Sequence, residues 1–169
     1  MSHNTSSTTG HNDAHKAGSL ARNLAKAVGA VFLLVGILGF VPGITSDIYP
    51  LNLFGHEPKG KEHALLLGLF EVSVLHNIVH LLFGVAGVAM AKHADAAVKY
   101  LIGGGVIYLL LTVFGFIVEG DHKSAANFVP FNGADNILHL VLGVAMLALG
   151  LIAKKALDTT HNHSTTSTH

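Results

Sequence analysis

Residues 72–91, VSVLHNIVHLLFGVAGVAMA, form an uncharged apolar run, and its length is the first constraint on the fold. At 1.5 Å per residue, a helix over this run is about 30 Å long, which matches the hydrocarbon thickness of a bilayer. Three further runs share its character, at 27–44, 100–118 and 136–153. Of the 169 residues, 50% are hydrophobic and 12% are charged, about half the charge fraction that a soluble domain needs to cover its surface. So short a chain could not wrap four such helices in a soluble core. The pattern predicts an all-α membrane protein with four transmembrane helices, near 24–44, 69–91, 98–118 and 134–154. These form one domain, 20–157, between tails 1–19 and 158–169. The tails are rich in Ser, Thr, Asn and His, a composition that predicts disorder. The first run leads into Pro42-Gly43 without a small-residue cleavage pattern, so it reads as a retained helix.

Charge sets the orientation. With the N-terminus in the cytoplasm, Lys16, Arg22, Lys26, Lys92, Lys99, Lys154 and Lys155 lie inside, against Lys59, Lys61 and Lys123 outside. That is the positive-inside bias, and an even number of crossings returns the C-terminus to the cytoplasm. The acids Asp47, Glu57, Glu62, Glu71, Glu119, Asp121 and Asp135 fall at the outer face, as do Pro42, Pro50, Pro58 and Pro130. Connections at 92–99 and 119–135 are short enough to join antiparallel neighbours, which favours an up-down bundle. Within the long loop 45–71, residues 62–70 read as a helix continuing beyond the membrane.

The chain contains a repeated hairpin. Gly29, Phe32, Leu33, Gly39 and Phe40 of the first helix match Gly105, Tyr108, Leu109, Gly115 and Phe116 of the third. Asn77-Ile-Val-His80-Leu-Leu-Phe-Gly84-Val-Ala86 matches Asn136-Ile-Leu-His139-Leu-Val-Leu-Gly143-Val-Ala145. Shared apolar composition explains much of the first match. The second puts scarce Asn, His and Gly in register, with both copies entering from one side. That segment, with Phe70-Glu-Val-Ser-Val-Leu-His76 and Asn132-Gly-Ala-Asp-Asn-Ile-Leu-His139, resembles a bacterial family catalogued as a domain of unknown function, number 4383. The resemblance covers roughly residues 24–153 and implies a four-helix protein of the plasma (inner) membrane. It brings no known activity.

Polar groups inside a bilayer are costly, so these need a role. His76 and His80 share a helix face, flanked by Ser73 and Asn77; Asp135 and Asn136 lie on the face of His139. One reading makes Asn77, His80, Asn136 and His139 a structural cluster bonded across helices, with Gly39, Gly43, Gly84 and Gly143 as packing notches. This gives a non-enzymatic accessory or scaffold protein with no cofactor, whose partners are the bilayer and other membrane proteins or further copies. A second reading makes His80 and His139 haem ligands, or joins them with His76 and Asp135 around a transition metal. A third strings Glu71, His76, His80, Asp135 and His139 into a proton or ion relay, although 85–91 and 144–153 contain no titratable group.

Other classes find no support. Ten basic and ten acidic residues leave no net charge to recruit nucleic acid. The absence of cysteine removes disulfides, thiolate sites and thiol nucleophiles. Gly103-Gly104-Gly105 lacks the Lys-Ser/Thr of a phosphate loop. No hydrolytic or nucleotide motif is present, so the chain is expected not to be an enzyme. The tail histidines His3, His11, His15, His161, His163 and His169 are too dispersed for a metal site or an affinity tag.

Overall fold

The computed structural model describes residues 5–47, 51–54, 64–118 and 129–166. It is all-helical apart from one small sheet. Four helices follow in chain order: α1 (Thr5–Leu38), α2 (Val74–Met90), α3 (Ala94–Val118) and α4 (Gly133–Thr166). Between α1 and α2 lie β1 (Thr45–Ser46), β2 (Leu65–Leu66) and β3 (Phe70–Glu71). Pro50, Glu57, Pro58, Lys59, Lys61, Glu62, Glu119, Asp121, Lys123, His3 and His169 lie outside the described residues, as do the side chains of His11, His161 and His163.

Among the described residues, three segments are long and apolar enough to cross a membrane: His15–Leu38, Ala94–Val118 and Gly133–Thr160. The fourth helix, α2, is apolar but has 17 residues. Large apolar side chains point outward on all four, among them Leu34, Leu82, Leu110, Ile117 and Val141, with Ile117 74% exposed. Water does not tolerate an apolar surface on this scale in a monomer, whereas lipid does.

The loop expected to extend as a helix over 62–70 does not do so where it is described. Leu65–Leu66 pairs antiparallel with Phe70–Glu71 and, on its other edge, with Thr45–Ser46. Leu67 and Gly68 adopt φ 56° and 70°, a left-handed turn incompatible with helix, and Leu69 N–H donates to Leu66 O at 3.1 Å. The sheet buries Ala64, Leu66 and Val72 against Val35, Leu38 and Ile44.

Helix limits also differ from expectation. α1 ends at Leu38 rather than 44, because Pro42 cannot continue a helix and Gly43 turns the chain at φ 87°. Thr45 Oγ1 then donates to Leu38 O at 3.0 Å, satisfying a carbonyl at the helix end. α2 starts at Val74 rather than 69, since Phe70–Glu71 is strand. α1 starts at Thr5 and α4 runs to Thr166, so both helices reach into the segments 1–19 and 158–169. On the N-terminal side Ala17, Ala21 and Ala25 form a buried stripe, and Ala21 and Ala25 join the same core as Ala97 and Ala153. On the C-terminal side the Thr159 and Thr160 hydroxyls bond back to Lys155 O and Leu157 O, both at 2.8 Å.

The helices pair as α1 with α2 and α3 with α4, and α1 also touches α3 and α4. The pairing rests on glycines. A Cβ on Gly29 would lie 2.9 Å from Gly84 O, and one on Gly105 would lie 2.9 Å from Gly143 O. Backbone meets backbone at both places, a separation that only small residues permit.

Candidate functional site

The polar centre begins with two helix N-termini. Ser73 caps α2, its side chain accepting from His76 N–H at 3.1 Å. Asn132 caps α4 through its Oδ1, which accepts from Asp135 N–H at 2.9 Å, while Asp135 Oδ2 accepts from Asn132 N–H at 3.1 Å. That reciprocal pair is a capping box. Asp135 Oδ2 also accepts from Glu71 N–H at 3.0 Å, and Asn132 Nδ2 donates to Leu69 O at 2.8 Å, so the start of α4 is tied to the β2–β3 hairpin. Ser73→Ala is expected to cost about 1 kcal/mol, and Ser73→Asn much less; thermal unfolding in detergent, followed by circular dichroism, checks both.

The histidines sit just inside these caps. His76 Nδ1 donates to Glu71 O and His80 Nδ1 to His76 O, each at 3.0 Å. A carbonyl can only accept, so Nδ1 carries the proton in both rings and Nε2 is left as the acceptor nitrogen. Both bonds are local, to backbone carbonyls five and four residues back in the chain, the first in β3 and the second in α2. The Nδ1 side of His80 is thus satisfied within its own helix. Two polar atoms of the predicted cluster, Asn77 Nδ2 and His139 Nδ1, are buried without a hydrogen-bond partner among the described residues. Leaving such a group unpaired costs about 1–3 kcal/mol, and ring packing around the histidines offsets it.

That packing is a closed circuit of five aromatic rings from all four helices. Phe32 of α1 meets His80 of α2 at 5.6 Å between centroids, and Tyr108 of α3 at 5.2 Å. Tyr108 meets His139 of α4 at 5.2 Å, His139 meets His76 at 6.3 Å, and His76 returns to His80 at 4.5 Å. These spacings are those of tilted and edge-to-face ring pairs. Phe131 closes the outer side of His139 at 5.4 Å. All three histidines are buried, with His139 the deepest at 3% exposure.

The asparagines fill glycine notches one level out. Gly39 lies against the Asn77 amide and Gly115 against the Asn136 amide, each so close that a Cβ would overlap it. Gly84 faces Leu33 and Gly143 faces Leu109. Gly43, expected as a fourth notch, lies past the end of α1 in a turn, with open space around it.

The predicted ligand sets fare differently. Asp135 Oδ2 is engaged by two backbone N–H groups at the cap. Among the described residues no three His, Asp or Glu side chains are arranged to hold a metal ion. Between His80 and His139 stand other aromatic rings. Phe32, Tyr108 and His76 complete the ring circuit that joins the two imidazoles, with centroids 4.5–6.3 Å apart. Phe32, Tyr108 and Asn132 belong to the centre although sequence reasoning does not place them there. Two signals point to them: the repeat pairs Phe32 with Tyr108, and the Asn132-x-x-Asp135 spacing spells the capping box.

One family model matches the chain, that of a domain of unknown function, DUF4383, over residues 22–152. No curated protein and no solved structure matches.

Proposed function

The chain belongs to the DUF4383 family, and we propose that it is a non-enzymatic membrane protein in which two copies of one helical hairpin are fastened by an aromatic and polar centre. On this reading α2 is a fourth crossing. Its 17 residues span about 25 Å, at the short end of what a bilayer requires. Both termini lie in the cytoplasm of a bacterial cell, on the side favoured by Lys92, Lys99, Lys154 and Lys155. The bundle acts as an accessory or scaffold in the plasma membrane, in contact with lipid and with other membrane proteins.

The observation that carries this reading is the closed ring circuit. Its histidines contact Phe32, Tyr108 and each other. The two hairpins contribute corresponding parts: Phe32 with His80 in one and Tyr108 with His139 in the other, Gly39 with Asn77 and Gly115 with Asn136. Duplication followed by face-to-face association accounts for this correspondence.

The test is a reduced-minus-oxidised optical spectrum of the detergent-purified protein, with metal content measured on the same sample. Both are expected blank, while His80→Ala and His139→Ala each lose about 2 kcal/mol of stability from the emptied ring position. A Soret band, or one metal per chain, that disappears in both variants would overturn the structural role.

A further inference from the structure

Residues 64–70, ALLLGLF, contain no polar side chain, yet they make a tight turn outside the helices. Leu66 O accepts from Leu69 N–H at 3.1 Å, and the two residues between them, Leu67 and Gly68, stand at φ 56° and 70°. Asn, Asp or Gly ordinarily fills both central positions of such a turn. A β-carbon there crowds the next carbonyl, and short polar side chains offset this by local hydrogen bonds. The other non-glycine residue at positive φ among the described residues is Asp47, exposed and of the usual kind. Leu67 is the departure. Its side chain is 62% exposed, and Leu69 beside it is 58% exposed, so packing on the bundle accounts for neither.

Two contacts set the height of this turn. Asn132, the cap of α4, donates from Nδ2 to Leu69 O at 2.8 Å, which puts the turn level with the start of the apolar segment Gly133–Thr160. The strands behind it bury Leu66 and Val72 against Val35 and Leu38, at the end of the apolar segment His15–Leu38. Near these ends Leu34, Ile37 and Ile137 point outward, so the two leucines continue the apolar surface assigned to lipid. The backbone of the turn suits the same surroundings. Leu67 N–H donates to Ile44 O at 2.8 Å, Gly68 N–H to Leu65 O at 3.3 Å, and Leu69 N–H to Leu66 O, so every N–H of the turn has a protein acceptor. Water makes no such demand on a turn, whereas lipid does. We infer that the β2–β3 turn anchors the protein in the outer leaflet, its backbone level with the headgroups and Leu67 and Leu69 reaching the acyl chains. Protein interfaces surround their apolar core with polar groups that fix register. No side chain of 64–70 supplies one, and acyl chains need none.

The inference rests on the membrane reading, and the experiment separates the two. The chain has no cysteine, so a nitroxide can be attached in turn to Leu67→Cys, Leu69→Cys, Leu110→Cys and Thr159→Cys, all exposed positions. The labelled full chains are placed in nanodiscs of phosphatidylcholine and phosphatidylglycerol. Relaxation of each label by oxygen, which concentrates in lipid, is compared with relaxation by a nickel chelate, which stays in water. Leu110, on the outer face of α3, is the lipid reference, and Thr159 is the water reference. A water-like signal at Leu110 would remove the membrane reading itself. With Leu110 in lipid, the oxygen-to-nickel ratio at Leu67 and Leu69 is expected several-fold above that of Thr159 and below that of Leu110. Ratios at both leucines equal to that of Thr159 would put the turn in water and overturn the anchor. Labels immobilised there and shielded from both reagents would also overturn it, because a protein surface would then cover the turn.

Discussion

Gly105→Val is expected to prevent the third and fourth helices from associating, and Gly105→Ala already to cost about 3 kcal/mol, the upper end for overpacking. A Cβ at Gly105 would stand 2.6 Å from Leu147 N and 2.9 Å from Gly143 O. Both are backbone atoms of α4, so no side-chain rotation relieves the clash and the helices must move apart. Gly103 is the internal control, two residues away on the outer face, where an added methyl would meet nothing within 4 Å. Gly103→Ala should leave stability unchanged or raise it by up to about 1 kcal/mol, the helix-propensity difference. Thermal unfolding of both variants in detergent, followed by the helical circular dichroism signal, reads the contrast. Equal melting temperatures would mean that α3 and α4 do not meet along this line.

Asp135→Ala is expected to lose about 3 kcal/mol, because it deprives both Glu71 N–H and Asn132 N–H of their acceptor at a buried site. One oxygen, Asp135 Oδ2, accepts both bonds, so Asp135→Asn with its carbonyl in that place retains them and should recover most of the loss. The pair of variants separates two roles for the same carboxyl. A backbone acceptor survives replacement by an amide. A charge needed for ion passage does not, and Asn would then be as damaging as Ala. Urea or thermal denaturation of the two proteins side by side gives the answer.

The helices are legible in the sequence because charge is so scarce that each uncharged run stands out, and the Asn-His-Gly register exposes the centre for the same reason. Side-chain identity alone does not show how that centre coheres. Histidine and asparagine in lipid suggest hydrogen bonding across helices, yet His76 and His80 direct their Nδ1 protons to local carbonyls. The rings that enclose them, Phe32 and Tyr108, belong to other helices and look ordinary in an apolar run. Asp135 resembles a ligand because it shares a helix face with His139, whereas its place three residues after Asn132 makes it a cap. Residues 62–70 mislead for a different reason: Leu65, Leu66, Leu67 and Leu69 carry no period that separates strand from helix. The left-handed turn at Leu67–Gly68 decides, and only Gly68 announces it. Ala17, Ala21 and Ala25 form a buried stripe that continues α1 on the N-terminal side of its apolar run.

Four spans require that α2, a helix of 17 residues, crosses the membrane. The native chain has no cysteine, so single-cysteine variants Ser46→Cys, His93→Cys and Thr159→Cys can be labelled with a membrane-impermeant maleimide in intact cells and again after lysis. With α2 crossing, Ser46→Cys reacts in intact cells, whereas His93→Cys and Thr159→Cys react only once the cells are opened. Reaction of Ser46→Cys and His93→Cys from the same side would contradict a four-span bundle, because α2 would then lie along the membrane or within the bundle without crossing.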